Sequence, residues 1–280
     1  MTIIGERVNA TRKRIREAIQ SRASEVIIDE IRSQEQSGAE YIDLNAGTGS
    51  GDKQQEKTDL AWLIDIALEH GEKKLALDAA GPQVLEHAAN HLANRRPWML
   101  NSITGELTDG DLAMIKLAAE YEVPLIALAM DEDGIPAETG KRIAVCEKIR
   151  DAAGARGVPE ERLWFDPLVL PVSTDVSQAT VTFRTIEGLR AQFPSAGITL
   201  GLSNVSHGLT KRAVVNAAFL TSAICYGLTS AICDPGREEI SRAIVLGELL
   251  AGKDRFCRRF TRAARNGLFD VAPPEGALRQ

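Results

Sequence analysis

Apolar runs that stop abruptly at an amide or a carboxylate mark this chain. YIDLN ends at Asn45, LALD at Asp78, WMLN at Asn101 and LWFD at Asp166, and the run from Gly197 opens into GLSNVSHGLTKR, residues 201–212. That last stretch sets Ser203, Asn204, His207 and Arg212 where a buried strand becomes a loop. A strand-end Asp taken alone serves equally well as a helix N-cap, and a strand-end Asn as a turn former. Converging on one rim, such ends form a neutral-to-acidic hydrogen-bonding cup. An unrelated barrel aldolase or hydrolase would want a Lys, or a paired carboxylate plus metal, at strand ends, and no barrel-strand Lys is evident.

A rim of this kind needs a barrel to hold it. Eight β-like runs alternate with helical patterns: Thr2 to Gly5, Tyr41 to Asn45, Leu75 to Asp78, Trp98 to Asn101, Leu125 to Met130, Leu163 to Asp166, Ile198 to Ser203 and Leu228 to Cys233. Between them, apolar residues recur at helical spacing, as in Ala61, Leu63, Ile64, Ala67 and Leu68. Gly38 and Gly227 stop helices before the second and eighth runs. The pattern predicts an α/β fold, a single (β/α)8 TIM barrel over residues 1–266, closing with a short helix at 254–266 and followed by a C-terminal tail, 267–280, loose from about Ala272. A doubly wound open sheet would want G-x-G-x-x-G after the first strand, and Gly5-Glu-Arg-Val-Asn is not that. The glycines of GTGSG, residues 47–51, suit a flexible loop at the mouth better than a phosphate cradle.

Composition narrows the partners. A net charge of −6 with Lys and Arg scattered leaves no electrostatic footprint for nucleic acid. The basic stretch TRKRIR, residues 11–16, reads as a solvated helix face answered by Glu17, Glu25 and Asp29. Cys146, Cys225, Cys233 and Cys257 stand far apart, which argues against a zinc or iron–sulfur site and for a reducing, cytoplasmic setting. The N-terminus shows no secretory h-region, and the long apolar stretch Val214–Cys233 divides into a helix, a Gly stop and a strand instead of spanning a membrane. His70, His87 and His91 lie on helical stretches as surface or helix-end residues.

IGERVN (4–9), DLNAG (43–47), LD (77–78), LNSITGE (100–106), GIP (134–136), DPLVLPVS (166–173) and GLSNVSHGLTKR follow one another in an order that resembles the methyltetrahydrofolate:corrinoid methyltransferases, from residue 3 to about residue 260. That group shares its pterin-binding barrel with cobalamin-dependent methionine synthase and, more remotely, with dihydropteroate synthase. The resemblance implies a homodimer with the pterin lying across the barrel mouth. It implies that Asp78, Asn101 and Asp166 hydrogen-bond the pterin ring, that Asn204 reaches N5, that Arg212 is a site arginine, and that Ile232 packs on the ring. Glu6 and Asn9 rank below these, lining the floor or holding the pterin tail. His207 departs from the Gln expected at its position; both side chains donate and accept, so the contact survives with an altered pH dependence.

The implied reaction moves a methyl group between N5 of 5-methyltetrahydrofolate and the cobalt of a corrinoid. A carboxylate facing the pterin amino group and N3–H makes a charge-assisted pair, a task for Asp78 and Asp166. N5 must be protonated before or during methyl departure, and a carboxylic acid of raised pKa can deliver that proton. Asn204 cannot supply a proton, but its carbonyl can accept from N5–H⁺ and stabilise the cation. No D-x-H-x-x-G corrinoid signature is present, since Val205 stands where its Asp would be, so the cobalamin comes on a partner protein or free in solution. The competing expectations are a dihydropteroate synthase-like enzyme and a non-catalytic folate-binding or corrinoid-protein docking subunit.

Overall fold

A computed structural model describes residues 1–49 and 51–270. Its strands are β1 (Thr2–Asn9), β2 (Tyr41–Asn45), β3 (Lys74–Asp78), β4 (Trp98–Thr104), β5 (Leu125–Leu128), β6 (Leu163–Asp166), β7 (Gly197–Ile198) and β8 (Ser230–Cys233). Helices α1 (Lys13–Ser21), α2 (Ser24–Gln36), α3 (Lys53–His70), α4 (Pro82–Leu92), α5 (Asp109–Glu120), α6 (Thr139–Gly154), α7 (Gln178–Gln192), α8 (Arg212–Cys225), α9 (Glu238–Leu250) and α10 (Arg258–Arg265) surround them.

The eight strands form one parallel sheet in the order β7-β6-β5-β4-β3-β2-β1-β8. The two ends meet through a parallel bridge between Gly201 and Ile232. Ile232 N–H donates to the Leu200 carbonyl at 2.9 Å, and Thr229 N–H to that of Ile198 at 3.1 Å. The fold is therefore the expected α/β TIM barrel, with one difference at its seam. Instead of a strand to Ser203, β7 has two residues, and Leu202–Asn204 wind into a 3-10 turn. This turn lifts Ser203 and Asn204 out of the ladder and over the mouth.

Apolar side chains fill two shells. The outer one packs the sheet on the helices and includes Ile42, Leu44, Leu75, Leu77, Leu100 and Phe165, all at most 1% exposed. The inner one, Ile4, Tyr41, Ala76, Met99 and Ile126 with Trp164, plugs the barrel below the mouth. Strand parity requires this division, because successive side chains point alternately out to the helices and in to the axis. Lys74, which begins β3, sits at the end of the barrel away from the mouth with Nζ 5.1 Å from the centre of the Tyr41 ring.

The stretch 214–233 divides as its residues suggest: α8 ends at Cys225, Gly227 turns with φ +111°, and β8 follows. Among the described residues no helix is long and apolar enough to cross a membrane. At the C-terminus, residues 267–270 pack back, with Arg242 Nε donating to the Leu268 carbonyl at 2.6 Å. Residues 271–280 of the expected tail lie outside the described residues, as does Ser50 in the glycine loop.

Candidate active site

Follow each inner row one step further toward the strand ends and the apolar plug becomes polar. Tyr41 gives way to Asp43 and then Asn45, Ala76 to Asp78, Met99 to Asn101, and Trp164 to Asp166. On β1 the parity is broken on purpose. Its pairing with β2 slips by one residue between Gly5 and Val8, so Ile4 opposes Tyr41 but Asn9, not Val8, opposes Asn45. Both Glu6 and Asn9 thereby face the mouth, while Val8 stays in the outer core. Gly5 permits the bulge: a Cβ there would stand 2.4 Å from Gln34 Oε1, the atom that accepts Arg7 N–H at 3.0 Å.

These side chains border a cavity of about 790 Å³, open at the C-terminal ends of the strands. Asp43, Asp78 and Asn101 form its floor. Asn101 Nδ2 donates to Asp43 Oδ1 at 3.2 Å, and Asn45 Nδ2 to Asp78 Oδ2 at 2.7 Å. Burial pushes the Asp78 carboxyl up to about 6, against the lowering by Asn45. Asp43 is raised well above the ordinary carboxylate range, first by burial and then by the neighbouring Asp78. Asp166 lies just beneath, receiving the Leu168 N–H at 2.7 Å and the Gly201 N–H; burial outweighs both and pushes it up to about 7. Asp78 on the floor and Asp166 behind it can thus hold or release a proton near neutrality, and Asp43 between them is shifted in the same direction.

The opposite side of the mouth is built from β1, β8 and the head of α8. Glu6 Oε1 receives Ser203 Oγ–H at 2.8 Å and lies 3.3 Å from Arg12. Burial raises its pKa more than these partners lower it. Arg212 donates through Nε to Ser206 Oγ at 3.0 Å and through Nη2 to the Ser203 carbonyl at 2.5 Å. The guanidinium thereby pins the Leu202–Asn204 turn that carries Asn204 into the cavity wall. Ile232 supplies an apolar face beside it. The arrangement offers acceptors below, an apolar wall and an amide above, which suits a flat ring with a donor edge.

Residues 5–234 match the pterin binding enzyme family. A methylcorrinoid:tetrahydrofolate methyltransferase of Eubacterium limosum is 32% identical over 95% of this chain and 97% of its own. The chain belongs to the pterin-binding enzymes. Within them it groups with the methyltetrahydrofolate:corrinoid methyltransferases. The methionine synthase of Mycobacterium tuberculosis is 30% identical over 82% of the chain, which spans a fifth of that longer protein. Among solved structures, dihydropteroate synthases of Yersinia pestis (TM-score 0.69, 14% identity, 90% of this chain and 94% of that one) and Coxiella burnetii (0.59, 16%, 89% and 93%) share the fold.

In this pterin-binding enzyme the residues singled out from sequence do not all stand alike. Glu6, Asn9, Asp78, Asn101, Asn204, Arg212 and Ile232 border the cavity. Asp166 is 6% exposed and lies behind that surface, and His207 is exposed and does not border it. The His207 backbone is what is engaged: the carbonyl accepts from Ser173 Oγ at 2.7 Å, and the N–H donates to the Asn204 carbonyl at 3.1 Å. Asn9 Oδ1 is taken up by Thr11, whose N–H and Oγ donate at 2.9 and 2.7 Å.

Two residues escaped the sequence. Asp43 could have been found by its parity with Asn45. Arg142, on α6 and 0% exposed, had no such signal. Its guanidinium donates to the carbonyls of Pro136, Pro167 and Leu168 at 2.8, 2.9 and 2.8 Å and to Gln178 Oε1 at 3.1 Å. It ties together the loops after β5 and β6, and its charge acts on Asp166. TRKRIR also departs from a plain solvated face. Its partners are Glu6, Glu17 and Glu30 in place of Glu25 and Asp29, and Arg12 turns into the cavity.

Proposed function

We infer that this pterin-binding enzyme moves a methyl group between N5 of 5-methyltetrahydrofolate and the cobalt of a corrinoid substrate. The observation that carries the reading is the polar inner layer of Asp43, Asp78 and Asn101 under Asn204, in a chain alike over almost its whole length to a methylcorrinoid:tetrahydrofolate methyltransferase. Asp78 and Asn101 take the pterin's amino, N3–H and carbonyl edge, with Asp166 behind them. Ile232 packs on the ring, and Arg212 braces the turn that presents Asn204.

In the folate-to-corrinoid direction N5 is protonated first, so that the C–N5 electron pair leaves onto a neutral amine. Reduced cobalt supplies the pair that forms the new bond to carbon. Asn204 accepts a hydrogen bond from N5–H⁺ and so favours the cation as the bond stretches. Asp166, held near neutrality by burial, can return or supply the proton through the ring's hydrogen-bond network. In reverse the same groups act in the opposite order. The reading includes a homodimer in the cytoplasm and a corrinoid that arrives on a separate protein or as free cobalamin. Likeness to dihydropteroate synthases at 14–16% identity speaks for the barrel alone.

The test is turnover of 5-methyltetrahydrofolate against chemically reduced cobalamin, followed by the corrinoid absorbance change. A purified, folded protein that transfers no methyl in either direction, with free cobalamin or with a corrinoid protein, refutes the reading.

A further inference from the structure

Behind the floor a buried cation stands without an anion. Arg142, on α6, is 0% exposed, and among the described residues no carboxylate pairs with it. Its guanidinium is met by neutral oxygens alone, three carbonyls and the Gln178 amide, so its donors are satisfied while its charge is not balanced. Buried charges are ordinarily paired, because an unbalanced one in a low-dielectric interior is costly. The carboxyl whose charge bears on it is Asp166, which favours the guanidinium that burial disfavours. With Asp166 protonated the two together carry a positive charge; with Asp166 ionised they carry none.

The same guanidinium sets the geometry of that carboxyl. Nη1 donates to the carbonyls of Pro167 and Leu168, and Thr182 Oγ, from α7, donates to the Leu168 carbonyl at 3.2 Å. Leu168 is thereby fixed in the left-handed region, φ +62°, where a residue with a β-carbon does not settle unaided. In that conformation its N–H meets Asp166 Oδ1 at 2.7 Å. The other groups around the carboxyl are the Gly201 N–H at the seam, Leu128 opposite it on β5, and the Cys146 thiol, which burial and Asp166 keep neutral. The charges that act on Asp43 and Asp78 are those of Asp78, Glu6 and Glu56. Among the described residues Arg142 is thus the charged group that faces Asp166.

We propose that Arg142 is a positioning residue for methyl transfer: it holds the Leu168 amide on Asp166 and supplies the buried positive charge that balances Asp166 once its proton has gone to N5. The proposal rests on the methyl-transfer reading and names the group behind its proton donor. When the methyl departs to cobalt the proton remains on N5, and Asp166 stays a carboxylate beside Arg142 until solvent protonates it again. Without the guanidinium Asp166 keeps its proton to higher pH, and delivery to N5 becomes harder.

NMR of protein labelled at the aspartate carboxyls, with D166N giving the assignment, follows this group without folate or corrinoid. In the wild type it should titrate at about 7. R142Q should move that titration up by about one pH unit, and the fall of the single-turnover rate with rising pH should move with it. R142K keeps the charge and loses the fork, so it should leave the titration in place while lowering the rate. T182V removes a neutral donor from the same carbonyl and should cost stability while moving neither. Should R142Q not fold, D175N/Q178E decides: it shifts a negative charge from exposed Asp175 to the side chain that Arg142 Nη2 contacts, giving the guanidinium another counter-ion, and Asp166 should again hold its proton to higher pH. An Asp166 titration unmoved in the folded variant overturns the proposal and leaves the methyl-transfer reading standing. A titration that moves while the pH profile of transfer stays put confines Arg142 to the fold and refutes its part in the reaction. A wild type without transfer ends the reading and the proposal together.

Discussion

The two sides of the barrel mouth solve opposite problems. The β2–β4 floor, with Asp166 beneath, is withdrawn from water, and its carboxyls are pushed toward neutrality at about 6 for Asp78 and about 7 for Asp166. The α8 edge is wet, cationic and held by single hydrogen bonds to a short turn. Buried groups discriminate, because leaving one unpaired costs far more than an exposed pair can return. Exposed charges attract and orient, and salt weakens them. The contrast says that chemistry and ring recognition belong to the floor and to Asn204, and that the outer edge tunes affinity.

Replacing Asn204 with Ala tests the sharpest form of that division. Losing one group that stabilises developing charge lowers kcat on the order of 10²-fold. Folate affinity should change by no more than about fivefold, since the pterin's donor edge is served from the floor. Titration of folate binding beside single-turnover transfer separates the two, and equal losses in both would erase the distinction.

Asp78→Asn comes next. It removes a charge-assisted pair and puts an N–H₂ where the ring presents donors, so folate should bind roughly 10- to 100-fold more weakly. The same reasoning gives wild-type binding a pH limb. Protonation of Asp78 as pH falls through about 6 removes the acceptor, and affinity falls with it. Calorimetry at pH 6.5 in buffers of different ionisation heat should then show protons released on binding.

Asp166 offers a stability test. Its folded pKa, about 7, stands above the ordinary 3.8, so the folded state keeps a proton that the unfolded chain has lost. Its contribution falls as pH rises from about 4 to about 7 and stays low beyond. Asp166→Asn keeps an acceptor for Leu168 and removes the ionisation. The variant should match the wild type at pH 3.5 and exceed it above pH 7 by on the order of 1–2 kcal/mol in urea unfolding. An unchanged difference across that range would mean that Asp166 is not held near neutrality.

How legible was this mouth in the sequence? Strand ends with polar termini, and their order, are local signals, so Asp78, Asn101 and Asp166 and the barrel itself could be read directly. Asp43 was also readable, since it shares the parity of Asn45 and precedes it by one inward step. The rest depends on partners far along the chain. The β1 bulge needs Gln34, which fills the space a side chain at residue 5 would take. Arg142 reads as any helix arginine until the loops after β5 and β6 close over it. Arg12 belongs to a run that looks solvated, and only Glu6, brought inward by the bulge, draws it to the cavity. The short β7 is a matter of closure, where the seam leaves the ladder for a turn.

The smallest effect belongs outside both sides of the mouth and calibrates the others. Thr108 caps α5, its Oγ accepting Asp111 N–H at 3.2 Å while Asp111 Oδ2 accepts the Thr108 N–H at 2.9 Å. Asp111 Oδ1 also accepts the Thr104 N–H at 2.9 Å, which anchors the loop after β4 from below. Thr108→Ala should lower stability by about 1 kcal/mol. Asp111 keeps its bonds to both backbone amides, so Asn101, three residues before Thr104, stays on the floor. Transfer rate and folate affinity should then be unchanged. If they fell with stability, the floor would be less rigid than its burial implies, and the losses assigned to Asp78 and Asn204 would have to be corrected for general loosening.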